Sequence, residues 1–98
     1  MAYKIVWTRR ASKSVQNVID YLDFKWNEKV ANEFIDILNT HVLLLQSGII
    51  DGRATKFGNV KSVLVTRQNR LYFRKKSKTI QMLLLFDTRQ NPSKNPFE

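Results

Sequence analysis

Residues 60–88 read VKSVLVTRQNRLYFRKKSKTIQMLLLFDT, and this stretch decides the fold class. Three runs rich in β-branched and aromatic residues, Val60–Thr66, Arg70–Lys75 and Thr79–Thr88, have the composition of strands. The gaps between them, Arg67-Gln68-Asn69 and Lys76-Ser77-Lys78, are hairpin-sized. Three sequential strands joined this tightly predict an antiparallel meander. The last run is almost wholly apolar, which predicts an interior strand covered on at least one face.

Upstream of the meander the periodicity changes from two to 3.6. Ala11, Val15, Val18, Ile19, Leu22 and Trp26 form one stripe of a helix that Thr8 is placed to cap. Asn27 reads as a break and a second N-cap, with Glu28 at the positive end of the next helix dipole. Val30, Phe34, Ile37, Leu38, His41, Leu44 and Leu45 repeat at helical spacing, and Gly48 is a natural stop. So short a joint predicts an antiparallel helical hairpin. Before it, Tyr3–Trp7 is a short β-prone run. After it, residues 49–59 are polar and punctuated by glycine, and are expected to be loop. The predicted fold is therefore α+β, β-α-α-β-β-β in two layers: the helical hairpin packs on one face of an antiparallel four-stranded sheet. The other face and the strand ends are expected to carry the basic residues. Residues 1–98 form a single domain, of which 89–98 are a polar tail expected to fray.

The chain holds no cysteine, which excludes disulfides and thiolate chemistry and fits a reducing, cytoplasmic setting. Its longest apolar runs, Val42–Leu45 and Met82–Phe86, fall far short of a membrane span, and its N-terminus lacks a signal peptide's apolar core. No His/Asp/Glu cluster at ligand spacing points to a metal, and no motif points to an organic cofactor. Charge is the informative quantity. In residues 1–51 Lys4, Arg9, Arg10, Lys13, Lys25 and Lys29 are balanced by as many acids, so the net charge of +9 lies in residues 52–98, whose only acids are Asp87 and Glu98. Solubility needs neither this magnitude nor this segregation. A lopsided field of this kind favours a polyanion or an acidic protein partner.

Several motifs, taken in order, resemble the RelE/ParE toxin superfamily. IDYLDFKWNEKVANEFIDIL (residues 19–38) resembles the helix pair of its ParE-like branch, in which a Trp after the first helix precedes an Ala-plus-aromatic helix. DGR (51–53) resembles a small Gly-Arg loop, NRLYFR (69–74) a Tyr- and Arg-bearing strand, and LFDTRQNP (85–92) the closing strand with its Arg-x-x-Pro exit. The likeness spans nearly the whole chain. It implies the toxin component of a type II, plasmid-stabilisation-like toxin–antitoxin pair. It also implies a cognate antitoxin whose acidic, partly helical C-terminal segment wraps the helices and sheet.

Two activities occur on such scaffolds. ParE-like members inhibit DNA gyrase by binding it; on that reading Arg67, Arg70, Arg74 and Arg89 form the contact surface. RelE-like members cut mRNA in the ribosome, and the resemblance then places Lys61, Arg70 and Arg89 on basic positions of the catalytic set. Cleavage by the 2′-OH also needs proton donors and acceptors. Val63 occupies the position of a second strand lysine, and Asn95, Pro96 and Phe97 stand where a Tyr or His acid/base is expected. The gyrase reading is preferred. A third class, a plain nucleic-acid-binding module, is suggested by Tyr72 and Phe73 among basic residues, although strand alternation sends those rings to opposite faces. His41, Trp7 and Trp26 are read as core or boundary residues, and Asp87 as a strand-end partner for Arg89.

Overall fold

The computed structural model describes residues 2–98. Chain order is β1 (Lys4–Trp7), α1 (Arg9–Lys25), α2 (Glu28–Ser47), β2 (Arg53–Ala54), β3 (Val60–Thr66), β4 (Asn69–Lys76), β5 (Thr79–Asp87) and a 3-10 turn (Pro92–Lys94). The meander forms as expected: β3 pairs antiparallel with β4, and β4 with β5. Both helices begin where their caps were read. Thr8 Oγ1 accepts from the Ala11 N–H at 3.1 Å and Asn27 Oδ1 from the Val30 N–H at 3.0 Å. Gly48 closes α2 in the left-handed conformation, φ 81°.

The sheet departs from expectation in two respects. It has five strands in the order β1-β5-β4-β3-β2, and it is mixed, because β1 runs parallel to β5. The unforeseen strand is β2, two residues paired antiparallel with Lys61 and Ser62. Two residues beside a glycine carry no alternation for a sequence reading to detect; the strand exists because β3 offers it an open edge. Strand direction alternates from β2 through β5, so β1 shares its direction with β3 and β5.

The helices cover one face of this sheet. Ala11, Phe34, Leu38, Leu45, Val65, Leu71, Phe73, Ile80, Met82 and Leu85 form the main core, with Val15, Val18, Ile19 and Leu22 of α1 packed against it. In α2 the buried stripe is rotated from the predicted one: Ala31 and Ile35 turn inward, while Ile37 is 42% exposed. His41 is half-buried, its Nδ1 against the Ile37 carbonyl. The two tryptophans do not anchor the core. Trp7 is 36% exposed and Trp26, at the C-cap of α1, is 63% exposed, because β1 is an edge strand and α1 ends beyond the sheet's cover.

The outer face is not simply a basic surface. Val60, Tyr72, Leu84 and Phe86 form a second small core there, closed by Phe97 from the tail. The tail does not fray. The Asn91 side chain caps the 3-10 turn, Asn95 is buried, and the Phe97 ring stacks on Tyr72 at 5.1 Å. A mostly polar segment folds here because the outer faces of β4 and β5 present apolar surface that water would otherwise wet.

Candidate functional site

Strand register assigns each candidate residue to a face, because directly paired residues share one. Lys61 pairs with Phe73, which lies in the main core, so Lys61 emerges on the helix side. There its ammonium meets the Asp51 carboxylate, which Lys75 also engages. The two lysines hold Asp51 at a pKa of about 2 through direct hydrogen bonds.

Arg70 pairs with Leu64 and Phe86, and Arg74 with Val60, which puts both guanidinium groups on the outer face. Arg70 Nη1 donates to Ser62 Oγ at 3.0 Å. Arg74 Nε is buried with no hydrogen-bond partner. Arg53 of the DGR loop motif, not among the expected site residues, joins them through its register with Ser62. Its Nη2 donates to Glu98 at 2.8 Å. Beside Arg53 and Arg70 the tail leaves a concavity of about 330 Å³ over Tyr72 and Phe86. The sequence marks Arg53 only as part of the DGR loop motif, because its face is set by a strand that only pairing creates.

Arg67 lies in the exposed β3–β4 turn and Arg89 just past the end of β5. The two segments are joined where the Thr88 Oγ1 donates to the Arg67 carbonyl at 3.1 Å. Arg89 is not free. Its guanidinium grips Asp87 in a two-point contact, Nε to Oδ1 at 3.1 Å and Nη2 to Oδ2 at 3.0 Å, which lowers the Asp87 pKa. Arg67, Arg70 and Arg89 therefore gather at one end of the sheet, while Arg74 lies four residues further along β4, roughly 13 Å away at 3.3 Å per residue.

Lys61, Arg70 and Arg89 are not brought to one surface. Lys61 and Arg70 lie on opposite faces of the sheet, and Arg89 is committed to a carboxylate. Tyr72, on the same face as Arg70 and Arg53, is buried; its O–H donates to Glu98 at 2.7 Å and its oxygen accepts from Asn95 Nδ2 at 2.8 Å. Burial first, and then the Glu98 carboxylate, raise its pKa. Val63 packs into the main core. Among the described residues, no group of His, Cys, Asp and Glu is placed to hold a metal ion.

No family model matches the chain, and no curated protein matches it in sequence. Solved structures do. A chain of a chromosomal ParDE TA system from P. aeruginosa superposes with a TM-score of 0.76 at 22% identity, over 90% of this chain and 98% of that one. A chain of the YoeB dimer from Staphylococcus aureus gives a TM-score of 0.59 at 15% identity, over 88% and 97%. A YoeB/ParE toxin from Agrobacterium tumefaciens gives 0.59 at 11% identity, over 86% and 96%. The fold of this chain is the RelE/ParE-like fold, and both chains are covered almost end to end.

Proposed function

We propose that this protein is the toxin of a type II toxin–antitoxin pair, ParE-like in action, which inhibits growth by binding DNA gyrase. The observation that carries the proposal is the end-to-end likeness to a ParDE structure, at a TM-score of 0.76 against 0.59 for the two YoeB-related chains. The separation of the basic residues supports the same choice. An inhibitor that acts by binding needs a basic surface but no free acid or base; the exposed Arg67, the half-buried Arg70 and the Asp87-paired Arg89 lie at one end of it, with the half-buried Arg74 beyond them. A nuclease needs a proton donor and acceptor facing one phosphate. Here Lys61 and Arg70 face opposite ways, and the Tyr72 hydroxyl is doubly bonded beneath the tail.

The cognate antitoxin on this reading brings an acidic C-terminal segment to the helices. A shallow apolar groove of about 360 Å³ between Trp7, Val15, Ile19, Ile35 and Leu38 is a seat of the right character. The net charge of +9 speeds the encounter. No helix among the described residues is long and apolar enough to cross a membrane.

The test is controlled expression of the wild type beside Arg70→Ala and Arg89→Ala, with growth, mRNA 5′ ends on ribosomes and gyrase-linked DNA breaks followed in the same cells. Growth arrest with DNA breaks and intact mRNA is the expected result. In-frame mRNA cuts that vanish in the variants would instead make the protein a ribosome-dependent endoribonuclease. Unimpaired growth with folded protein would overturn the toxin reading.

A further inference from the structure

Phe97 and Glu98 reveal what the outer face of the sheet recognises. The Phe97 ring stacks on Tyr72 at 5.1 Å, with 27° between the planes, and meets Phe57 edge-on at 6.0 Å. The Phe97 N–H donates to Asn95 Oδ1 at 2.9 Å. The Glu98 carboxylate accepts from Arg53 Nη2 at 2.8 Å and from the Tyr72 hydroxyl at 2.7 Å. A ring and an adjacent carboxylate are thus held at separate points by residues of β2 and β4. Cations outnumber acids on this face. Arg53, Arg70 and Arg74 all lie on it, and among the described residues Glu98 is the one carboxylate paired with any of them. Arg70 has only the neutral Ser62 hydroxyl as acceptor, and Arg74 Nε is buried without one.

The hold on this pair is shallow. Residues 88–94, which lead to it, are all exposed, and the backbone N–H groups of Gln90, Lys94 and Asn95 bond within two to four residues of themselves, to Asp87, Asn91 and Pro92. The Arg53–Glu98 ion pair is open to water, its side chains 59% and 35% exposed, and such pairs contribute little. From these features we infer that the outer face is a docking site for a partner protein's segment in which an acid follows an aromatic residue, and that Phe97 and Glu98 occupy it in cis until such a segment displaces them. The partner's acid takes Arg53 and the Tyr72 hydroxyl, and its ring takes the stack on Tyr72. The concavity of about 330 Å³ that reaches Arg70 leaves room for a further acid. The segment is acidic because the face offers three guanidinium groups against one carboxylate. A second copy of this chain carries the same pair, but with a net charge of +9 the two copies repel. The site lies across the sheet from the apolar groove of the helices, and the inference does not rest on the toxin reading.

The experiment is fluorescence anisotropy of the full chain with a labelled, amidated peptide NPSKNPFE, the sequence of residues 91–98, and with two altered forms that carry Ala for Phe or Gln for Glu. A tethered competitor acts at millimolar effective concentration, so the wild type should bind the peptide weakly. The Phe97→Ala/Glu98→Gln double variant should bind it at least about tenfold more tightly, because the competitor is gone. Glu98→Gln alone keeps the ring and should gain at least about threefold; it carries the test if the double variant folds poorly. On either background Arg53→Gln should remove most of the gain, whereas Lys13→Gln, on the exposed side of α1, should not. Each altered peptide should bind at least about fivefold more weakly. Peptide binding no tighter in the tail variants than in wild type would overturn the inference, because the tail would then be structural only. Equal affinity for the peptide without its ring would overturn it as well, by reducing recognition to charge. So would a wild-type dimer, seen by light scattering, that Glu98→Gln dissociates, since a second copy's tail would then fill the site.

Discussion

The Tyr72 hydroxyl, on the central strand, donates to the Glu98 carboxylate at 2.7 Å, and the same oxygen accepts from Asn95 at 2.8 Å. One phenol thus fastens two points of the tail to the outer face, and Arg53 holds the same Glu98 oxygen from the other side. The tail is part of the folded domain because its polar groups find partners as its one aromatic ring finds a stack.

Tyr72→Phe keeps the ring and removes both bonds, leaving the Nδ2 of the buried Asn95 without its acceptor. The expected cost is about 1–3 kcal/mol, lowering Tm by several degrees for a domain of this size. Amide exchange at Phe97, whose N–H is held by Asn95 Oδ1 at 2.9 Å, should accelerate. An unchanged melting curve together with unchanged exchange would show that the tail is held by something else.

Two glycines with positive φ should respond unequally to alanine. At Gly52, φ 89°, a Cβ would come within 2.7 Å of the Phe73 ring and 3.0 Å of the Ser62 carbonyl; at Gly48, φ 81°, it would meet nothing within 4 Å. Gly48→Ala therefore bears only the left-handed backbone cost of about 1–2 kcal/mol. Gly52→Ala bears the same cost and a clash with a fully buried ring, so its midpoint in urea should fall clearly further. Equal midpoints would contradict the close approach of the residue 51–53 loop to the core.

The Asp51 carboxylate, with its pKa lowered from 3.8 to about 2, makes a contribution to stability that depends on pH. A depressed folded-state pKa gives stability that is present above the unfolded value and lost as pH falls through the folded one. Asp51→Asn should thus melt slightly below wild type at pH 7, and the gap should close between about pH 4 and 2. The carboxylate is 64% exposed, so the effect is small and should shrink in high salt. A gap that persists unchanged at pH 2 would assign the loss to packing.

Phe73 and Phe24 are the same residue type in opposite settings, 0% and 91% exposed. Phe73→Ala should cost about 3–5 kcal/mol, much of the stability of an ordinary small domain. Phe24→Ala should stay within about 0.5 kcal/mol. Thermal melts of the two variants check both values.

What the sequence by itself determined were the features written in local chemistry. Thr8, Asn27 and Gly48 mark helix ends because a side-chain oxygen or a missing Cβ acts within a few residues. The apolar runs of β3 to β5 specify the meander because period two places every second residue on a common face. The segregation of charge into residues 52–98 is likewise plain in the sequence. Tertiary structure decided whatever depends on which distant segment arrives beside which. The parallel pairing of β1 with β5 and the two-residue strand β2 arise from open sheet edges, which no local pattern encodes. The tail reads as polar, but apolar surface on β4 and β5, far away in the sequence, gives Phe97 something to cover. Trp7 and Trp26 look like core residues by type, yet one sits on an edge strand and the other beyond the end of its helix. The basic residues likewise share a composition but not a surface, because a strand register assigns Lys61 and Arg70 to opposite faces. Periodicity fixes which residues of one element lie together; only packing fixes what each face meets.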